Sequence, residues 1–170
     1  WSPDETQLLI AEGIGSLQTE LYLFDIQQDT EQHLTAKFDA ARYWSISWKA
    51  EGVYLLSDRL HDCGAICKLN LKTGDLTPLL TPDNHTGIAE TGEFAQIKPM
   101  PNGEAIIYKL NVGGYDQLYQ FDVRTRTTQR ITGVPEGVIN QVQISADGQK
   151  LTLSVETPTR QPNCYLIELN

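Results

Sequence analysis

At 170 residues and 40% hydrophobic content, the chain can bury a core that removes roughly 70% of its unfolded surface from water. A net charge of −9 with no run of Lys or Arg excludes sequence-independent nucleic-acid binding and argues against an anionic membrane surface. No apolar stretch approaches the roughly 18–20 residues of a membrane-spanning helix. Three cysteines make no disulfide framework, which fits a reducing, cytoplasmic compartment.

The chain opens in a turn, Trp1-Ser2-Pro3-Asp4-Glu5, followed by an apolar strand at Leu8-Leu9-Ile10. A second strand places Tyr22, Phe24 and Ile26 on one face, and a third ends at Leu34-Thr35. A strand at 43–47 leads into the next turn, Trp48-Lys49-Ala50-Glu51-Gly52. Strands at Val53-Tyr54-Leu55-Leu56, at Cys67, Leu69 and Leu71, and ending at Leu80-Thr81 come after it. The polar stretch 81–91 reads as a connection. The pattern resumes with a strand at 94–97, the turn Pro99-Met100-Pro101-Asn102-Gly103 and a strand at Ala105-Ile106-Ile107-Tyr108. After a Gly113-Gly114 break come Tyr119, Phe121 and Val123 in alternation, then a run ending Ile131-Thr132. A last round contains a strand at 138–143, the turn Ile144-Ser145-Ala146-Asp147-Gly148, Leu151-Thr152-Leu153, and Tyr165, Ile167 and Leu169. Alternation with one apolar face is the mark of a half-buried strand.

One turn-strand-strand pattern therefore recurs four times, its turns beginning at Trp1, Trp48, Pro99 and Ile144. A repeat of about 45–50 residues with four strands is the arithmetic of a β-propeller blade. The predicted fold is all-β, a β-propeller fragment of about four blades built from four-stranded antiparallel sheets. The blades cover approximately 1–35, 41–81, 94–132 and 138–170, with the first and last incomplete. A β-sandwich or barrel is the alternative, and neither requires four aligned copies of one pattern. Glycine closes the last three turns, as a residue held at positive φ requires. Glu5 breaks that column and predicts a different backbone for the first turn. The strand count of three, four, four and three reads as a piece of a larger protein. Such a piece has open edges and an uncovered apolar face, so it is expected to self-associate.

Certain segments carry a family resemblance. Trp1-Ser2-Pro3-Asp4 resembles the WSPDG element of TolB-type propeller repeats. Ser57-Asp58-Arg59, with Ile66-Cys67-Lys68-Leu69 and Thr73-Gly74-Asp75-Leu76-Thr77, is similar to the SDR…LYRLDL…TGE blade of peptidase propellers. Ser145-Ala146-Asp147-Gly148, with the strand 151–155 and Thr157-Pro158-Thr159-Arg160-Gln161-Pro162-Asn163-Cys164-Tyr165, resembles the SADG…SSPTRPPELYVLDL segment of acylaminoacyl-peptidase-like propellers in the prolyl oligopeptidase family. Glu5, Gln161, Cys67 and Cys164 depart from these patterns. The resemblance implies a non-catalytic propeller portion of a serine peptidase, gating and orienting peptide substrates. The implied partners are a peptide substrate and the hydrolase domain of the same parent chain, which supplies the serine, acid and histidine. This chain has no nucleophile elbow G-x-S-x-G, since Gly13-Ile14-Gly15-Ser16 does not match it. The alternative is a TolB- or WD-repeat-like scaffold that binds a protein partner on one loop face, periplasmic if TolB-like. No peptidase activity is expected of the chain alone.

Few residues suggest chemistry of their own. Asp58 and Arg59 follow a strand on the loop side, where a guanidinium suits a peptide carboxylate; the plain alternative is a capped turn and a local ion pair. Tyr115 and Asp116 stand at the corresponding loop of the third repeat, as a binding aromatic and its neighbour or as an ordinary hairpin. Cys63 and Cys67 are spaced C-x3-C near His61, but Cys67 falls in the buried Tyr column and no second ligand pair exists, so no metal site is assigned. Cys164 is expected to be packed. His33, His61 and His85 lack a nucleophile beside them, and Asp4, Asn102 and Asp147 supply too few oxygens for calcium. Asn84-His85-Thr86 matches a glycosylation acceptor against the compartment. No catalytic residue and no cofactor is assigned.

Overall fold

The computed structural model describes residues 1–84 and 92–169 as four antiparallel meanders. The first sheet holds β1 (Gln7–Gly15), β2 (Gln18–Asp25) and β3 (Thr30–His33), in that order. The second runs β4 (Tyr43–Lys49), β5 (Gly52–Ser57), β6 (Ala65–Leu69) and β7 (Leu76–Leu80). The third runs β8 (Glu93–Pro99), β9 (Ala105–Val112), β10 (Tyr115–Asp122) and β11 (Thr128–Arg130). The fourth is β12 (Val138–Ile144), β13 (Lys150–Thr157) and β14 (Arg160–Glu168). Three, four, four and three strands match the expected blade pattern. Within 81–91, residues Pro82–Asn84 form a short 3-10 turn. His85, and with it most of the Asn84-His85-Thr86 motif, lies outside the described residues.

Two local devices repeat because backbone geometry demands particular side chains. The first lies at the ends of β2, β6 and β10. Asp25 Oδ1 accepts the amides of Gln27 (3.0 Å) and Gln28 (2.9 Å), Asn70 Oδ1 those of Lys72 (2.9 Å) and Thr73 (3.3 Å), and Asp122 Oδ1 those of Arg124 (2.9 Å) and Thr125 (2.6 Å). An Asx side chain standing in for a backbone carbonyl starts each of these turns. The second device is the turn before each apolar strand. Ser2 N donates to Gln7 O at 2.9 Å, Met100 N to Ala105 O at 2.8 Å and Ser145 N to Lys150 O at 2.9 Å. The expectation for Glu5 is corrected here. Its φ of 59° lies in the same left-handed region as those of Gly103 (70°) and Gly148 (73°), so the first turn keeps the common backbone and a glutamate bears the strain. The turn that differs is the second, where Lys49 pairs with Gly52 across a tighter hairpin.

The chain divides into two compact units, Trp1–Thr81 and Pro82–Asn170. In the first, Leu21 and Leu23 of β2 share one apolar core with Val53, Leu55, Cys67 and Leu69 of the second sheet. In the second, Ala105, Ile107 and Leu118 of the third sheet pack with Ile139, Leu151 and Leu153 of the fourth, and Tyr165 and Ile167 lie against that cluster. Each fully buried Leu or Ile contributes about 1.5–3 kcal/mol.

This packing corrects the reading of the strand columns. Cys67 and Tyr119 are buried as expected, but so are their neighbours Ile66 and Leu118, so burial in these two strands does not follow alternation. In β2 the buried pair is Leu21 and Leu23. Tyr22 and Phe24, on the other face, are half-buried, and Ile26 is 40% exposed. Cys164 is also corrected: it is exposed, on the face of β14 opposite Tyr165 and Ile167.

Candidate functional site

In the first unit, Asp58 and Arg59 stand just after β5 and are held locally. The Asp58 carboxylate accepts the backbone amide of Arg42 at 2.7 Å and its Nε at 2.6 Å, pinning the entry to β4. Arg59 lies over the Phe38 ring, 3.8 Å from its centroid, and donates to Gly74 O at 3.2 Å. Its guanidinium thus anchors a carbonyl and an aromatic face. Both side chains serve the second sheet and its approach.

Asp116, in the second unit, is 5% exposed. Its carboxylate accepts Ile139 N at 2.8 Å and Asn111 Nδ2 at 3.1 Å, and pairs with the Lys109 ammonium at 3.2 Å. Lys109 Nζ also donates to Ile139 O at 2.7 Å. A buried charge is tolerated only when so compensated. Here the pair grips both backbone groups of Ile139 and ties the third sheet to β12.

Tyr115 has the opposite character. It opens β10 after Gly113-Gly114, is 40% exposed, and borders a cleft of about 550 Å³. The cleft runs between the β9–β10 hairpin and the connection 131–137. Leu118 and Ile131 supply apolar lining, and Gln117, Arg130, Thr132 and Glu136 supply polar groups. A second cleft of about 300 Å³ shares Pro135 and Glu136 and is lined by Thr157, Arg160, Gln161, Asn163 and Tyr165. The hairpin that carries the peptidase-propeller resemblance is therefore a wall of this cleft. Arg130, Gln117 and Glu136 were not singled out from sequence. The signal that finds Gln117 is a comparison of the positions just before each Tyr column, where the repeats differ; Arg130 and Glu136 carry no such signal.

The remaining candidates are placed apart from these clefts. Cys63 is exposed and its amide donates to His61 Nδ1 at 3.1 Å. The Cys67 thiol is buried, and that burial pushes its pKa up to about 12, so it stays protonated. No group of three His, Cys, Asp or Glu among the described residues is placed to hold a metal ion. His33 stacks on Tyr22 with centroids 4.4 Å apart and its Nε2 lies 2.9 Å from Glu20.

No family model matches the chain, and no curated protein matches it. Among solved structures the chain has the β-propeller fold, and its neighbours are TolB and prolyl oligopeptidase propellers. TolB from Acinetobacter baumannii superposes with a TM-score of 0.73 at 19% identity, covering 99% of this chain and 39% of that one. A prolyl endopeptidase gives 0.77 at 10% identity, covering 98% and 24%. Prolyl oligopeptidase B from Galerina marginata, bound to a 35mer hydrolysis and macrocyclization substrate, gives 0.75 at 11%, covering 98% and 24%. The chain thus spans well under half the length of these three neighbours, and at such identities the likeness defines the fold.

Proposed function

We propose that this chain is the non-catalytic propeller portion of a prolyl oligopeptidase family serine peptidase, admitting and orienting peptides for a hydrolase domain outside these residues. The observation that carries the reading is the 157–165 hairpin. Its sequence resembles the late blade of acylaminoacyl-peptidase-like propellers, and its side chains Thr157, Arg160, Gln161, Asn163 and Tyr165 line a cleft. Support comes also from the TM-score of 0.77 to a prolyl endopeptidase over 98% of the chain. In this reading the propeller gates: standing over a catalytic site, it admits chains narrow enough to pass and excludes folded proteins. The test is the parent gene and its product. The reading expects G-x-S-x-G with a later acid and histidine beyond residue 170, and a full-length protein that cleaves short peptides but spares folded ones. A gene without that motif ends it.

A second reading, a TolB-like scaffold binding a protein partner, is favoured by the 19% identity to TolB, above the 10% to the prolyl endopeptidase. A stoichiometric partner and no hydrolase domain would select it. The peptidase reading places the protein in the cytoplasm and the scaffold reading in the periplasm, which fractionation separates. Either reading includes self-association of the isolated chain through the open edge of β14, measured by sedimentation.

A further inference from the structure

We propose that the cleft beside Tyr115 is a carboxylate-binding site, filled by the carboxylate of a short extended peptide. The inference deepens the reading above and rests on it only in taking the ligand to be a peptide. It comes from comparing the third sheet with the first. β2 and β10 hold equivalent places. Leu34 N donates to Leu21 O at 2.8 Å and Ile131 N to Leu118 O at 2.9 Å, while Thr19 N donates to Ala41 O and Asp116 N to Gly137 O, each at 2.9 Å. Tyr22 pairs with His33 as Tyr119 pairs with Arg130. The equivalence sets Gln117 in the place of Glu20, Arg130 in that of His33, and Thr132 in that of Thr35.

In the first sheet this corner is closed around a carboxylate. Glu20 accepts the Thr35 hydroxyl, lies 2.9 Å from His33 Nε2, and accepts Gln18 Nε2 at 2.8 Å. Thr35, itself 3% exposed, takes the amide of Leu21 on its Oγ1 at 3.0 Å. The Thr35 and His33 bonds hold the Glu20 carboxyl below its ordinary range.

In the third sheet the place of Glu20 holds no acid; of the two carboxylates that line the cleft, Asp116 is paired with Lys109, and Glu136 stands across it on the connection 131–137. Gln117 is a neutral amide, and its Oε1 is occupied by the Tyr119 hydroxyl at 2.5 Å. Arg130 is an exposed guanidinium with no anionic partner among the described residues. Thr132 is exposed and makes no bond to Leu118 N. The ring nitrogen and the hydroxyl that hold a carboxylate in one sheet have counterparts in the other, the Arg130 guanidinium and the Thr132 hydroxyl, around an open cleft of about 550 Å³. A guanidinium is the side chain best shaped for a carboxylate. Tyr115 stands four residues before Tyr119, about 13 Å along the strand. A ligand running from Arg130 to the Tyr115 ring is therefore an extended segment of about four residues, with an apolar side chain at the Tyr115 end.

The test titrates the 15N-labelled 170-residue chain with three probes. They are acetyl-Leu-Ala-Ala-Ala with a free C-terminus, the same peptide as its C-terminal amide, and acetyl-Leu-Ala-Ala-Glu as its C-terminal amide. The first and third separate a terminal carboxylate from a side-chain one. Saturable shifts at the amides of Leu118, Ile131 and Thr132 are expected with at least one carboxylate peptide and not with the uncharged one. Arg130→Gln weakens that binding at least about tenfold. Gln117→Glu does the same, because it supplies from within the carboxylate that Glu20 supplies in the first sheet. No saturable shift with either carboxylate peptide overturns the proposal, as does equal binding of the uncharged peptide or unchanged affinity in both variants. Binding is read on this chain directly, so a parent gene without a hydrolase domain would sink the peptidase reading and leave this titration standing.

Discussion

Removing the Asp116 carboxylate tests the claim that a buried ion pair joins the third and fourth sheets. The side chain is 3% exposed and its Lys109 partner 16% exposed. In Asp116→Ala the Ile139 amide loses its acceptor, Asn111 Nδ2 loses a bond, and the Lys109 ammonium keeps only the Ile139 carbonyl. Breaking a buried pair from one side costs about 3–5 kcal/mol, and the residual carbonyl bond sets the expectation at about 3 kcal/mol. With a urea m-value of about 2 kcal/mol/M, the unfolding midpoint falls by about 1.5 M. Asp116→Asn keeps an acceptor for Ile139 and is expected to lose about half as much. Hydrogen exchange places the effect, since the Ile139 amide becomes one of the most deprotected in β12. A midpoint shift below about 0.3 M in the alanine variant, with Ile139 still protected, would refute the reasoning.

Other expectations follow from single residues. Ellman's reagent at pH 8 is expected to titrate two thiols in the folded chain, Cys63 and Cys164, and three once it is unfolded, since Cys67 is buried with its thiol at about 12; rapid reaction of all three in the folded state would contradict this. The Glu20 carboxyl is depressed below its ordinary 4.5 in the folded chain. Its stabilisation is therefore complete above that value and is lost as the pH falls through the lower folded one. Glu20→Gln flattens that part of the acid limb in melting curves between pH 3 and 6, and an unchanged slope would count against the Thr35–Glu20–His33 cluster. Glu5→Gly relieves a non-glycine residue at φ 59° and, after the glycine's added unfolded-state entropy, is expected to stabilise by about 0.5 kcal/mol. That is a rise in Tm of about 1–2 °C, and a fall would show that Glu5 is not strained.

What could be read from the chain was whatever the backbone enforces locally. The glycines Gly103 and Gly148 each answer to a turn a few residues long, so their column, and with it the repeat, was visible; the Asx turns at Asp25, Asn70 and Asp122 are equally local. Glu5 misled because the geometry is set by the hydrogen bonds around it, and the residue identity only lowers or raises the strain. The burial of Leu21 rather than Tyr22 was not legible, since alternation marks two faces and the neighbouring sheet decides which is covered. Asp116 looked like a loop residue because its main partner, Ile139, lies 23 residues away. The Tyr115 cleft was missed for a further reason: it arises where two repeats differ, at Glu20 against Gln117, and a search for likeness passes over it.

Every sheet is a simple meander, each strand pairing with the one before it in sequence. Closing such a ladder requires only short loops, so little chain entropy is lost before hydrogen bonds and apolar contacts form. During synthesis a finished sheet needs no strand from further downstream and can assemble while the next repeat is still inside the ribosome. A pulling force applied to the two ends would meet units of two sheets, since each pair shares one apolar core.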